Sequence, residues 1–131
     1  IFRKLTKDKK INIKELKIKG RTFKIKKYFE KIARFNFDEL CDQNIGAEDY
    51  IKIAKECKFI VIENIPAFSE NNRNKQQRFI TLVDIFYEEK IPLMTTSDSK
   101  LENFSSSRSL EKPFKRTLSR LYELTSVKIS N

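Results

Sequence analysis

Arg116 and Arg120, with Thr117 and Ser119 between them, have the types and spacing to hold an anion. At about 100° per residue of α-helix, Arg116, Ser119, Arg120 and Glu123 share one face. Leu118, Leu121, Tyr122 and Thr125 share the opposite one. A helix docked through its apolar side presents two permanently charged guanidinium forks, and backbone N–H groups near its N-terminus can join them around a phosphate. The same spacing also suits a solvated face on which Arg120 pairs with a carboxylate, a contact of little energetic value. Arg78 stands just before a second apolar stripe, and Arg73 in the loop ahead of it. Both can face an anion, lie on the surface, or bridge to Glu70 or Asp84. Asp84, between Val83 and Ile85, reads as a structural partner for an arginine such as Arg78 rather than as a catalytic acid.

Two strand ends are also chemically suggestive. Phe59-Ile60-Val61-Ile62 is an apolar run followed by Glu63, and Ile91 to Met94 is followed by Thr95-Thr96-Ser97. In P-loop ATPases one strand brings an acidic residue to magnesium and water, and the next brings a polar sensor to the γ-phosphate. Apolar strands often end in polar residues, so Glu63 and Thr96 are weaker candidates. Glycine is the limiting residue. Only Gly20 and Gly46 occur, so neither G-x-x-x-x-G-K-[ST] nor G-x-G-x-x-G can be written. With no histidine, the commonest general base and every Ser-His or Cys-His pair are missing.

The elements that must position these residues follow from periodicity. Ile11-Asn12-Ile13, Leu16-Lys17-Ile18 and Phe23-Lys24-Ile25 alternate around Lys19-Gly20-Arg21, which predicts a β-hairpin with one lysine-rich wet face. Residues 32–37 predict another strand, and Asp38 suits a helix N-cap. Ala47, Tyr50, Ile51, Ala54 and Cys57 predict a helix starting near Gly46. Residues 59–62 predict a strand buried on both faces, as in a parallel sheet. Phe79, Leu82, Val83, Phe86 and Tyr87 predict a helix to about Glu89, and 91–97 a second buried strand, completing a βαβ unit. A mobile loop with a helical turn around Leu101 to Phe104 and a final helix over about 115–125, after Pro113, complete the chain. The expectation is therefore α/β: an N-terminal β-hairpin, a βαβ unit of mostly parallel sheet and a C-terminal helix. Its divisions are a basic β-rich segment 1–37, an α/β core 38–97, a loop 98–113 and a helix 114–131.

Length and composition bound the rest. At 131 residues with 39% hydrophobic content, the chain fits one domain with a real core. It begins with Ile1 and its only methionine is Met94, so it is expected to be the C-terminal piece of something longer. No apolar run approaches the ~20 residues of a membrane span. Cys41 and Cys57 are expected to be reduced and partly buried, and no metal site is expected. The net charge of +10 is concentrated: residues 1–34 hold 14 Lys/Arg against 3 Asp/Glu, and the remaining 97 hold 14 against 15. That basic third includes Lys14, Lys17, Lys19, Arg21, Lys24, Lys26 and Lys27. It suits phosphates of nucleic acid or an anionic lipid surface, or it is surface lysine filled by default in a Lys-, Ile- and Asn-rich chain.

Read in order, a set of segments resembles the C-terminal portion of the ZapE-type ATPases, bacterial cell-division relatives of a mitochondrial AAA-type ATPase. They are Lys19-Gly20-Arg21, residues 33–41, Gly46-Ala47-Glu48-Asp49-Tyr50, Ile62-Glu63-Asn64-Ile65-Pro66, Arg73-Asn74, residues 78–84 with Tyr87, and residues 114–121. The resemblance implies an AAA-class P-loop ATPase that uses ATP and Mg2+ in its full-length form. It would be cytoplasmic or peripheral at the inner membrane, and would act with division or quality-control partners. It also implies that the Walker motifs and the phosphate sensor lie upstream, so that Glu63 and Thr96 only look like them and no catalytic residue or bound cofactor belongs to this stretch alone. Arg116 and Arg120 foremost, then Arg78, would complete a site built by the upstream portion or by a neighbouring subunit of a homo-oligomer. The alternative is a non-catalytic basic module that docks on nucleic acid, anionic lipid or an acidic protein.

Overall fold

The computed structural model describes residues 12–18, 20–42, 45–97 and 104–126. Ile11, Lys19 and residues 98–103, where most of the helical turn around Leu101 was expected, lie outside them, as does the side chain of Arg21. The elements are β1 Asn12–Ile18, β2 Arg21–Phe29, β3 Ile32–Asn36, α1 Phe37–Cys41, α2 Ala47–Glu56, β4 Phe59–Ile65, α3 Arg73–Glu88, β5 Leu93–Ser97 and α4 Glu111–Thr125. The strands form one sheet in the order β1-β2-β3-β4-β5. The first three are antiparallel, and β4 and β5 continue parallel to β3. The fold is α/β as the periodicity predicts.

Local chemistry sets each turn. Between the pairs Asn12↔Tyr28 and Lys14↔Ile25, β2 uses one residue more than β1. This bulge returns Tyr28 to the buried face, where its hydroxyl donates to the Glu56 carbonyl at 2.8 Å. The β2–β3 loop is Glu30-Lys31, with φ of 43° and 69°. Both residues sit in the left-handed region that a two-residue hairpin loop requires, although neither is Gly or Asn. Asn36 ends β3 and caps α1: its side chain accepts from the Asp38 N–H at 3.2 Å, while Glu39 accepts from the Asn36 N–H at 2.9 Å. The cap is thus Asn36 rather than Asp38, because the Asn36–Glu39 pair forms a reciprocal capping box.

Leu16, Ile18, Ile25, Ala33, Phe35, Ile60, Ile62 and Leu93 turn one sheet face into the core shared with the helices. Phe59 and Val61 bury the other face of β4 with Ile32 and Met94. In α2 the buried stripe is Tyr50, Ile53 and Ala54, leading to Cys57, whereas Ala47 and Ile51 face outward. In α4 the buried residues are Phe114, Thr117, Leu121 and Leu124, and Tyr122 is exposed. That helix starts at Glu111, with Pro113 inside its first turn, where an absent N–H breaks no helical bond.

The loop after β4 carries the densest aromatic contact. Phe68 meets Phe37 of α1 at 5.7 Å between ring centroids, Phe79 of α3 at 5.7 Å and Phe114 of α4 at 5.5 Å, the last edge-on. One loop residue therefore joins three helices. Phe68→Ala should destabilise the protein by about 3–5 kcal/mol in a denaturant titration. A loss under about 1 kcal/mol would mean that the helices hold together without it.

Candidate functional site

The arginines expected to act together are distributed over two places. On the seam between α3 and α4, Arg120 donates to Asp84 at 2.7 Å and its guanidinium lies 4.8 Å from the centre of the Tyr87 ring. Tyr87 in turn donates to Glu123 at 2.9 Å. Arg116 reaches the second Asp84 oxygen only at 3.9 Å, and its side chain is 62% exposed against 23% for Arg120. Asp84 is a structural partner, as its position suggests, but its partner is Arg120 and not Arg78. Thr117 is fully buried and donates to the Pro113 carbonyl at 3.2 Å, so it cannot meet a phosphate in this arrangement. Ser119 is exposed. Because α4 begins at Glu111, Arg116 and Arg120 lie past its first turn, and the backbone N–H groups beside them are no longer those of a helix start.

Arg73 and Arg78 meet elsewhere, at the start of α3. Arg73 is the first residue of that helix rather than part of the preceding loop. Together with Lys75, Asn72, Asp42 and Glu70 the two arginines line a polar cleft of about 420 Å³. Arg78 donates to the Cys41 carbonyl at 3.1 Å and Arg73 to the Ser109 hydroxyl at 2.7 Å. Lys75 stands 3.7 Å from Asp38 and 3.6 Å from Asp42. No acidic side chain lies in the first turn of α3, and Asn72 makes no side-chain cap there. The positive end of the helix dipole is thus left without a negative side chain inside the helix, with two guanidinium groups beside it. Glu70, on the cleft wall, accepts from the Ser107 hydroxyl and the Arg108 N–H, both at 2.9 Å, and also feels the charge of Arg73.

Behind the cleft, Gln76 is fully buried. Its amide donates to Ser106 at 2.6 Å and accepts from the Ser107 N–H at 3.0 Å, tying the 105–110 segment to α3. Lys75 and Gln76 were not singled out from the sequence. Gln76 had a signal, since it precedes Phe79, Val83 and Phe86 at helical spacing, and a polar residue on a buried stripe must find partners.

Glu63 is occupied. The Arg34 guanidinium grips it with two hydrogen bonds, one from Nε to Oε1 and one from Nη2 to Oε2 at 2.9 Å. Thr96 accepts from the Asn64 N–H at 2.9 Å. Both bonds tie neighbouring strands. Of the basic hairpin residues, Lys17, Lys24, Lys26 and Lys27 are exposed, while Lys14 lies 3.9 Å from Glu56 and 5.9 Å from the centre of the Tyr28 ring. Cys41 and Cys57 are buried thiols. Burial raises both pKa values, that of Cys57 to about 12, so neither is a thiolate at neutral pH. Among the described residues no group of His, Cys, Asp or Glu is arranged to hold a metal ion, and no helix is long and apolar enough to cross a membrane.

These features define a small α/β unit with an arginine-lined cleft and no nucleotide loop of its own. The chain belongs to the AFG1-like ATPase family, whose profile matches residues 1–131. It is 33% identical over 87 residues to lactation elevated protein 1 homolog B of Danio rerio, covering 66% of this chain and 17% of that protein. It is 30% identical over 91 residues to cell division protein ZapE of Escherichia coli K12, covering 70% of this chain and 24% of that protein. An uncharacterised Schizosaccharomyces pombe protein, C115.02c, is 29% identical over 84 residues, covering 64% and 18%. The matches therefore span about a sixth to a quarter of these relatives. No solved structure matches the chain significantly.

The hydrogen bonds to Glu70 hold its carboxyl below the usual value of 4.5, the Ser107 hydroxyl contributing most and the Arg108 N–H next. A depressed carboxylate stabilises the fold above its unfolded value and loses that contribution as the pH falls through its folded value. The Arg108 amide resonance should therefore titrate with a midpoint below 4.5. A midpoint at or above that value would show that the two bonds do not form in solution.

Proposed function

We propose that this chain is the C-terminal part of a longer AAA-class ATPase and that its cleft at the start of α3 supplies positive charge to a nucleotide held elsewhere. The family supports ATP and Mg2+ as the cofactors of the whole protein. The residues of this chain do not themselves fit a triphosphate and its metal, since only Gly20 and Gly46 occur and the described residues offer no metal-ligand cluster. The upstream portion must provide the phosphate loop and the acidic magnesium ligand.

The observation that carries the reading is the gathering of Arg73 and Arg78 at a helix start with no acidic residue in its first turn. A fixed positive end with guanidinium groups is suited to oxygens that carry negative charge. Arg116, largely exposed and weakly paired with Asp84, stands on the separate α3–α4 seam and does not line the cleft. Arg120, gripped by Asp84 and Tyr87, positions α4 against α3. The upstream portion of the same chain is one source of the nucleotide, and a neighbouring copy in a homo-oligomer is the other. We further propose a cytoplasmic or inner-membrane-peripheral role in cell division or protein quality control; the similarity to the cell division protein ZapE supports the division part of this reading.

In the full-length protein Arg78→Ala and Arg73→Ala should each lower ATP turnover at least tenfold, with the thermal midpoint little changed. Asp84→Ala should instead lower stability by up to about 1 kcal/mol and leave turnover within about twofold, as expected for a partly exposed pair. Normal turnover in both arginine variants would refute the role of the cleft.

A further inference from the structure

We propose that the groove between the outer edge of β1 and α2 binds an extended acidic segment of a partner polypeptide, which pairs with β1 as an added strand. The proposal does not depend on the nucleotide role of the α3 cleft. β1 is the terminal strand of the sheet, and among the described residues no strand pairs with its outer edge. Beside that edge lies a groove of about 290 Å³ lined by Lys17 and Ile18 of β1 and by Glu48, Ile51, Lys52 and Lys55 of α2. Positions 48, 51, 52 and 55 form one stripe at helical spacing, alongside the Tyr50, Ile53 and Ala54 stripe that α2 buries. The helix thus turns its core face inward and a second, mixed face toward the strand.

The lining chemistry selects the occupant. Ile51 is 38% exposed and Ile13, further along β1, is 65% exposed. A seven-residue edge strand with an exposed isoleucine is a template for strand addition, in which main-chain hydrogen bonds give affinity and alternate side chains give specificity. Lys17, Lys52 and Lys55 rim the apolar patch, so carboxylates on the incoming strand would find cations while its apolar residues meet Ile18 and Ile51. Residues 1–11 of this chain carry five Lys/Arg against one Asp, a charge that does not complement that rim. A second copy would bring the same lysines edge to edge, the arrangement that edge lysines discourage.

The test titrates the full-length protein with a fluorescein-labelled peptide of about seven residues, the length of β1, alternating glutamate and valine. Saturable binding is expected, weakened roughly tenfold by Ile51→Asp and by Lys55→Glu, both on the exposed face of α2. The same peptide with its central valine replaced by proline should also bind at least tenfold more weakly, since it cannot complete the ladder. No saturable binding would overturn the proposal. So would equal affinity for the proline peptide, which would reduce the contact to bulk charge. Binding of phosphatidylserine vesicles with no peptide binding, or a homodimer that Ile51→Asp dissociates, would also overturn it by assigning the groove to lipid or to a second copy.

Discussion

Phe68 lies in an irregular loop, yet its ring touches one aromatic residue from each of α1, α3 and α4. The helices share one face of the sheet, so their relative positions depend on what fills the space between them. An aromatic cluster does this with large, stiff groups that bury much area and tolerate few arrangements. The Phe68 carbonyl also accepts from the Ser105 hydroxyl at 2.9 Å, which brings the 105–110 segment to the same point. From there Gln76 and Glu70 secure that segment to α3 and its approach. The start of α3, with its arginines, is thereby fixed between the aromatic cluster on one side and a polar strap on the other.

Charge separates residues that look equivalent in the sequence. Arg34, Arg78, Arg116 and Arg120 all border apolar stretches, but each meets a different partner. Arg34 is consumed by Glu63 across two strands, and Arg120 by Asp84 across two helices. Arg78 spends one bond on a carbonyl and, among the described residues, forms no ion pair with a carboxylate, while Arg116 has a long contact to Asp84. A guanidinium bound to a carboxylate at 2.7 Å must lose that partner before it can meet a phosphate, whereas one that rests on a carbonyl keeps its full charge. On the proposed reading, this distinction favours α3 over α4 as the anion-facing surface.

Hydrophobic period made most of the fold legible. The hairpin, the doubly buried β4, the long helix and β5 all follow from spacings of two or about 3.6 residues. What the sequence concealed was set by contacts distant along the chain. Ile51 fits the helical stripe of α2 by spacing but faces solvent, because Ile53 takes the inward position. Thr117 seemed a phosphate ligand beside two arginines, but it stands between Phe114 and Leu121 on the stripe that α4 buries. Glu63 and Asp84 were recognisable as charged residues at special places, but the identity of their arginines is a matter of strand register and helix packing. The cleft is assembled from residues around 42, 70 and 73–78, and no local pattern announces it. The family resemblance was carried by many short collinear segments rather than by a single motif.

In the proposed function the first turn of α3, and not the arginine pair of α4, faces the nucleotide. Hydrogen exchange on the full-length protein, with and without a non-hydrolysable ATP analogue, tests it most directly. The analogue should slow exchange in residues 73–78 while the Arg116–Arg120 turn stays unchanged. Protection confined to other parts of the protein, with residues 73–78 exchanging at the same rate in both states, would contradict it.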